Sequence, residues 1–505
     1  MSRISKSSGA AGAARRRPLM RGVTAIAVLT GVMTAAPAQA AGAAKPGDFN
    51  GDGRVDLTVG APAAAVSGAD TGGVAVLNGL RPPGTLITQD TDGIPDTAES
   101  YDYFGWELAS GDFDADGFAD LAVGTPDEAI DGDGDGNEEV GAGSVTIVYG
   151  SPSGLVPQRS QLFTQASPGV PGDPGWNERF GNSLVTGDFN GDGRADLAVG
   201  SPNDQDGRQW SGSVTILFGG AQGLSGTDAQ LLANEEDPYA YDYGMRLAAG
   251  DVDGDGTTDL AQVVRTSADA RLVGYRGGGA GLDTAAPVRK DLPGFSTMFG
   301  SIAMGDLNGD GRADVAVGDP EYSSESGGKV AVLLSQGGAF ADPALITQGS
   351  PGVPDTNEAD DRFGWSLAMG DVDRDGRADL AVGAPGEDID PDTAIAAGAV
   401  TVLHGSAAGV GTRQATWINQ DTPGIPDEAE TADLFGRTVL LADHTGDGRA
   451  DLVIGVPEET IDGFTSTGLV TVLDGARTTR ASAHDLRQAG VADPTFARFG
   501  SSLLR

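Results

Sequence analysis

The 505-residue chain has no cysteine, which removes disulfide staples, thiolate metal sites and a lipidated thiol anchor at once. It has only three histidines, His404, His444 and His484. No Gly-x-Ser-x-Gly elbow, His-Glu-x-x-His pair or phosphate-binding Gly-Lys-Ser/Thr loop occurs, so no catalytic signature stands out. Basic residues are scarce: 32 Lys and Arg face 73 Asp and Glu, a formal charge of −41, which argues against nucleic acid or anionic membrane as a partner. Beyond residue 40 no apolar run approaches the ~18 residues of a membrane span. The ending Leu503-Leu504-Arg505 is no anchor signal.

Part of the basic charge is concentrated at the start. Arg15, Arg16, Arg17 and Arg21 precede an apolar stretch from Val23 to Ala36, and Ala38-Gln39-Ala40 offers a small-x-small cleavage site. Residues 1–40 therefore read as a signal peptide cut after Ala40, and residues 41–505 as a mature, secreted protein. Met20-Arg21 would itself begin a compact signal, and Arg16-Arg17 is a weak twin-arginine match, so the true start and the export route stay open.

The dominant feature is a nine-residue acidic loop, Asp-x-Asp/Asn-x-Asp-Gly-x-x-Asp, beginning at Asp48, Asp112, Asp188, Asp251, Asp306, Asp371 and Asp443. Oxygens at its first, third and fifth positions, a Gly at the sixth for a sharp turn, a carbonyl at the seventh and a closing carboxylate are what a hard cation requires. Calcium, which accepts about six to eight oxygens in flexible geometry, is the expected guest in preference to magnesium. Apolar runs such as Leu57-Thr-Val59 and Leu121-Ala-Val123 follow the closing carboxylate, so the loop leads into a strand and does not join two helices. Calcium would then do the stapling that cysteine cannot.

Each loop sits in a larger repeat. An aromatic-Gly pair stands upstream: Phe104-Gly105, Phe180-Gly181, Tyr243-Gly244, Phe299-Gly300, Phe363-Gly364 and Phe435-Gly436. Gly-x-Pro follows downstream in six copies, from Gly60-Ala61-Pro62 to Gly455-Val456-Pro457. A β-rich run such as Gly143-Ser-Val-Thr-Ile-Val-Tyr149 comes next, then a fourth short strand such as Gln161-Leu-Phe-Thr164. Four short strands per period, punctuated by Gly, Pro and Asp turns, predict an all-β propeller, one repeat array and not several domains.

These motifs resemble the FG-GAP repeat family, known from the seven-bladed β-propeller of integrin α subunits, over roughly residues 46–505. The resemblance implies seven four-stranded blades, with the acidic loop between a blade's first and second strands and calcium in it. Carried over by position, the side-chain ligands are Asp48, Asn50, Asp52 and Asp56; Asp112, Asp114, Asp116 and Asp120; Asp188, Asn190, Asp192 and Asp196; Asp251, Asp253, Asp255 and Asp259; Asp306, Asn308, Asp310 and Asp314; Asp371, Asp373, Asp375 and Asp379; and Asp443, Asp447 and Asp451. The carbonyls come from Arg54, Phe118, Arg194, Thr257, Arg312, Arg377 and Arg449, with the side chains of Arg194, Arg312, Arg377 and Arg449 turned to nearby acids. Thr445 at the third position makes the last loop the weakest of up to seven calcium sites. Blade four departs in Tyr243 and in Ala261-Gln-Val-Val where Gly-x-Pro is expected.

Phe499-Gly500 is a seventh aromatic-Gly pair with nothing after it, while the loop at Asp48 has none before it. Residues 499–505 are therefore expected to supply blade one's first strand and close the ring. The inter-blade connections repeat as well, as in Thr88-Gln89 with Gly93-Ile94-Pro95-Asp96 and Thr347-Gln348 with Gly352-Val353-Pro354-Asp355. Turn chemistry is the favoured account of them, and a polar binding rim on the face opposite the acidic loops is the other.

Asp131 to Glu139, with Asp133, Asp135 and Gly136, is expected to be a solvated acidic loop ahead of an extra cation site. Trp106 and Trp365 read as blade packing, and Trp176 and Trp210 as packing ahead of sugar stacking. Two functions remain. One is an extracellular calcium-stabilised binding or adhesion module, expected to be monomeric, for a glycan, wall component or protein. The other is an extracellular hydrolase or lyase working from the propeller rim.

Overall fold

The structure, a computed structural model, describes residues 44–504 apart from 67–70, 133–135, 137, 206–210, 234–240, 268, 297–299, 321–326 and 391. The signal segment, Trp210 and Phe299 lie outside the described residues. Blade two shows how sequence becomes sheet. Its strands Glu107–Gly111, Asp120–Thr125, Ser144–Tyr149 and Val156–Phe163 pair antiparallel in chain order. The second and third are buried at every residue, because neighbouring blades cover both their faces. That is why they read as continuous apolar runs. The fourth is outermost and mixes exposed and half-buried residues up to its buried last residue, Phe163.

Seven such four-stranded sheets occur, and their innermost strands touch one another in cyclic order. Blade one is built from both ends of the described chain. Ser502–Leu503 pairs with Leu57–Gly60 in the register Val59↔Leu503 and Gly60↔Ser502, and the inner edge of blade one is thereby covered. The expected closure is thus present. Blade five adds a small hairpin, Ser335–Gln336 with Ala339–Phe340, whose Phe340 joins the apolar core between blades four and five.

Neighbouring blades lock through the two Gly motifs. Gly436, at φ 85°, turns its carbonyl onto Gly383 of the preceding blade so closely that a Cβ on Gly383 would lie 2.1 Å from that oxygen. Ser366 Oγ donates to the same carbonyl at 2.8 Å. The same latch recurs as Ser183 to Gly244, Thr438 to Gly500 and, across the closure, Ser502 to Gly105. Phe104, Phe180, Phe363, Phe435 and Phe499 are fully buried beside these joints. Blade four departs by substitution: Val263 takes the place of the motif's Gly, and the buried Gln262 just before it, where the other blades carry Val or Ile, accepts the Gly244 N–H through Oε1 at 3.0 Å.

Candidate metal loops and axial cup

In all seven acidic loops the first Asp accepts the N–H groups of the fifth and sixth positions, and the fifth-position Asp accepts the N–H of the seventh. In the first, Asp48 accepts the N–H groups of Asp52 and Gly53 at 3.0 and 2.7 Å, Asn50 accepts Asp52 N–H, and Asp52 accepts Arg54 N–H. The closing Asp56 is fully buried, and its two oxygens take Phe49 N–H and Gly79 N–H, so it ties the loop to the end of the blade's third strand. Asp120, Asp196, Asp259, Asp314 and Asp379 repeat this placement. Burial pushes the Asp120 carboxyl up to about 8 and that of Asp196 to about 7.

The loops are also chained to one another. The N–H at the eighth position of each loop donates to the carbonyl of the first Asp in the preceding blade's loop. Ala119 bonds to Asp48, Ala195 to Asp112, Thr258 to Asp188, Ala313 to Asp251, Ala378 to Asp306, Ala450 to Asp371 and, closing the circle, Val55 to Asp443. The second position is an apolar plug in six loops, Phe49, Phe113, Phe189, Val252, Leu307 and Val372, all buried. That role was visible as a recurrent apolar residue at this position and went unread.

The donor sets fit a hard divalent cation. Carboxylate oxygens of Asp112, Asp114 and Asp120 lie within 4.8 Å of one another, as do those of Asp251, Asp253 and Asp255, and of Asp371, Asp373 and Asp379. Asn308 Oδ1, a third-position donor, is buried with no hydrogen-bond partner. Arg194, Arg312 and Arg377 turn their guanidinium groups to Asp192, Asp310 and Asp375 at 3.1, 3.3 and 2.7 Å. Arg449 does not follow them and donates instead to the Val372 carbonyl at 3.2 Å. Arg159 reaches the second loop from the outermost strand and meets Asp114 at 2.6 Å.

The seventh loop differs beyond Thr445. Its plug position holds His444, fully buried and lowered to about 4 by desolvation, with Nδ1 3.0 Å from the Val55 carbonyl. The closing Asp451 accepts from Thr445 N–H and not from position two. Lys45 places its ammonium 3.2 Å from Asp443 Oδ2. At Asp131 two bonds of the seven loops recur, Gly132 N–H to Glu139 at the ninth position and Gly136 N–H to Asp131, and Asp131, Gly132 and Gly136 are exposed, as expected of a solvated loop.

On the opposite face the channel mouth forms a cup of about 300 Å³. The residue after each aromatic-Gly pair lines it: Ser501, Trp106, Asn182, Met245, Ser301, Trp365 and Arg437. Trp106 and Trp365 are therefore not blade packing. The glycine before each, at φ 90° and 92°, turns the chain toward the axis, and Trp106 is 38% exposed. Arg437 lies 4.0 Å from the Trp365 ring centroid, and Tyr103 meets Trp106 edge-on at 6.1 Å. Arg246, Glu107 and the Arg498–Glu458 pair, 2.9 Å apart, complete the polar wall. Trp176, expected to pack, is 61% exposed.

Among curated proteins the chain is similar to human phosphatidylinositol-glycan-specific phospholipase D, with 27% identity over 374 residues covering 56% of this chain and 43% of that protein. It is also similar to rat integrin alpha-7, with 42% identity over 168 residues covering 32% of this chain and 13% of that one. The matched region thus spans less than half the length of either relative. Among solved structures, a putative 6-phosphogluconolactonase from Bacteroides uniformis ATCC 8492 covers 86% of this chain and 96% of its own at 10% identity, with a TM-score of 0.42. The FG-GAP repeat pattern matches residues 42–77, 104–148, 180–217, 363–403 and 435–473, and the FG-GAP-like repeat matches 251–317. Together these cover more than half of the sequence, and the chain belongs to the FG-GAP repeat family.

Proposed function

We propose that this protein is a secreted, calcium-stabilised binding module that takes a glycan in its axial cup. The observation that carries the reading is the cup itself: two tryptophans, three arginines and two glutamates gathered at one mouth. Indole faces cover the C–H faces of sugar rings, while guanidinium and carboxylate groups take up hydroxyls in fixed geometry. Arg246, Arg437 and Arg498 outnumber Glu107 and Glu458 there, against a whole-chain charge of −41. That surplus favours saccharides bearing carboxylates, such as uronates. Calcium in the acidic loops, at the other face, holds the ring without touching the ligand. The loop geometry supports this role, as do the integrin relatives.

Secretion rests on the basic, apolar and small-x-small order of residues 15–40. The test is a glycan and wall-polymer screen read by tryptophan fluorescence, in calcium and in chelator, with Trp106→Ala and Trp365→Ala. Loss of binding in both variants with an unchanged melt supports the cup, and full binding in the double variant overturns it. A hydrolase or lyase reading draws on the phospholipase D relatives. Turnover of phosphodiesters or polysaccharides that survives purification and is lost in Glu107→Gln would establish it instead.

A further inference from the structure

The inter-blade connections carry a second oxygen cluster that neither the acidic loops nor the cup uses. In blade six, Gln348 Nε2 donates to Glu387 Oε2 at 2.5 Å and to Asp355 at 3.0 Å, and Glu358 N–H donates to Asp361 at 2.7 Å. Blade two repeats it with Gln89 on Glu128 at 2.6 Å, and blade seven with Gln420 on Glu459 at 2.7 Å, each pair 39 residues apart. Carboxylate oxygens of Glu358, Asp361 and Glu387 lie within 4.8 Å of one another, as do those of Glu99, Asp102 and Glu128.

Two further facts point to a missing positive partner. Glu387, Asp361 and Gln348 are each at most 3% exposed, yet among the described residues no Lys or Arg forms an ion pair with either acid. The charged groups acting most strongly on Glu387 are Asp355 and Asp361, and burial with this repulsion drives its carboxyl up to about 9. Buried like charges at this spacing are costly unless a proton or a cation joins them. The second fact separates those two. Gln348 Oε1 is buried and accepts no hydrogen bond, and the same is true of Gln89 Oε1 and Gln420 Oε1. Gln348 Oε1, Asp361 Oδ2 and the Glu358 carbonyl oxygen lie 3.2, 2.9 and 2.4 Å from where a side chain on Gly327 would begin, so three oxygens face the space beside that glycine. A proton bound to the carboxylates neutralises charge only, whereas a hard cation also takes the amide oxygen.

We propose that Gln348, Glu358, Asp361 and Glu387, with their counterparts in blades two and seven, form a second class of calcium site on the face opposite the acidic loops. The ion clamps the inter-blade connection to the turn after the blade's second strand, and so stiffens the rim around the cup. The donor set is all oxygen and mostly anionic, which suits calcium over softer metals. This inference stands on the cluster alone and is independent of what the cup binds.

Equilibrium dialysis of the full chain with calcium alone provides the test. Gln348→Leu combined with Glu387→Gln should lower the bound calcium by one ion per chain and leave the rest of the count intact. An unchanged count in the folded variant overturns the proposal. Should that variant fail to fold, crystals of the unaltered protein grown in terbium decide it by anomalous scattering. Peaks between Gln348, Asp361 and Glu387 support the site, and peaks at the acidic loops only refute it.

Discussion

Removing residues 497–505 tests whether the ring depends on its closing strand. The segment buries Ala497, Phe499, Leu503 and Leu504, all at most 5% exposed. Burial of the three large side chains contributes about 1.5–3 kcal/mol each, or ~5–9 kcal/mol together. The bonds from Gly500 N–H to the Gly60 carbonyl, from Leu504 N–H to the Thr58 carbonyl and from Ser502 to the Gly105 carbonyl add roughly 1 kcal/mol each. The sum is comparable to the ~5–15 kcal/mol that a whole domain commands. Deletion also bares the inner edge of Leu57–Gly60, an invitation to aggregate. Urea unfolding followed by circular dichroism, in millimolar calcium, should show no cooperative transition for the truncated chain. Phe499→Ala should retain the fold but lose ~3–5 kcal/mol. A truncated protein that melts within ~2 °C of the full chain, where each kcal/mol shifts a large domain by only a few degrees, would refute the closure argument.

Chelation should lower the melting temperature strongly, because the crowded carboxylates of each loop repel once the ion leaves and the seven loops are hydrogen-bonded in a circle; identical melts in chelator and calcium would contradict it. In chelator, stability should fall as pH rises from 5 to 9. Asp120, Asp196 and Glu387 bind protons more tightly folded than unfolded, with values of about 8, 7 and 9, so their contribution is complete below the ordinary carboxylate range near ~4 and is lost as pH climbs through those values. Calcium replaces the proton, so the slope should flatten when it is added, and a metal-free melt rising over this range would be inconsistent with that account. Gly383→Ala should cost ~1–3 kcal/mol, since its Cβ would fall 2.1 Å from the Gly436 carbonyl oxygen. Gly278→Ala, with open space around it, should stay within ~0.5 kcal/mol of the parent, and equal effects at the two sites would undo the interlock.

The legible parts of this protein are those whose partners are close in the chain. The acidic loop was readable because its donors fall within nine residues, so spacing alone brings Asp48, Asn50 and Asp52 to one turn. The blade count followed from its repetition. The Trp106 and Trp365 reading failed because packing against a blade and facing the axis look alike in sequence; the difference is a backbone turn at Gly105 and Gly364. Arg449 departs from Arg194, Arg312 and Arg377 because what its guanidinium meets in the adjoining blade is the Val372 carbonyl, a contact that spacing does not encode.

The sequence by itself determined the local chemistry: where a hard cation can be held, where strands start, and that no thiol contributes. Tertiary structure alone decided three things. It joined Val55 to Asp443 and Ser502 to Gly105, nearly 400 residues apart. It gathered one side chain from each blade into a cup, and it set Gln348 against Glu387 with an amide oxygen unanswered. The physical reason is that a ring converts equal sequence spacing into spatial convergence only once its last strand is seated, and no local preference carries that information.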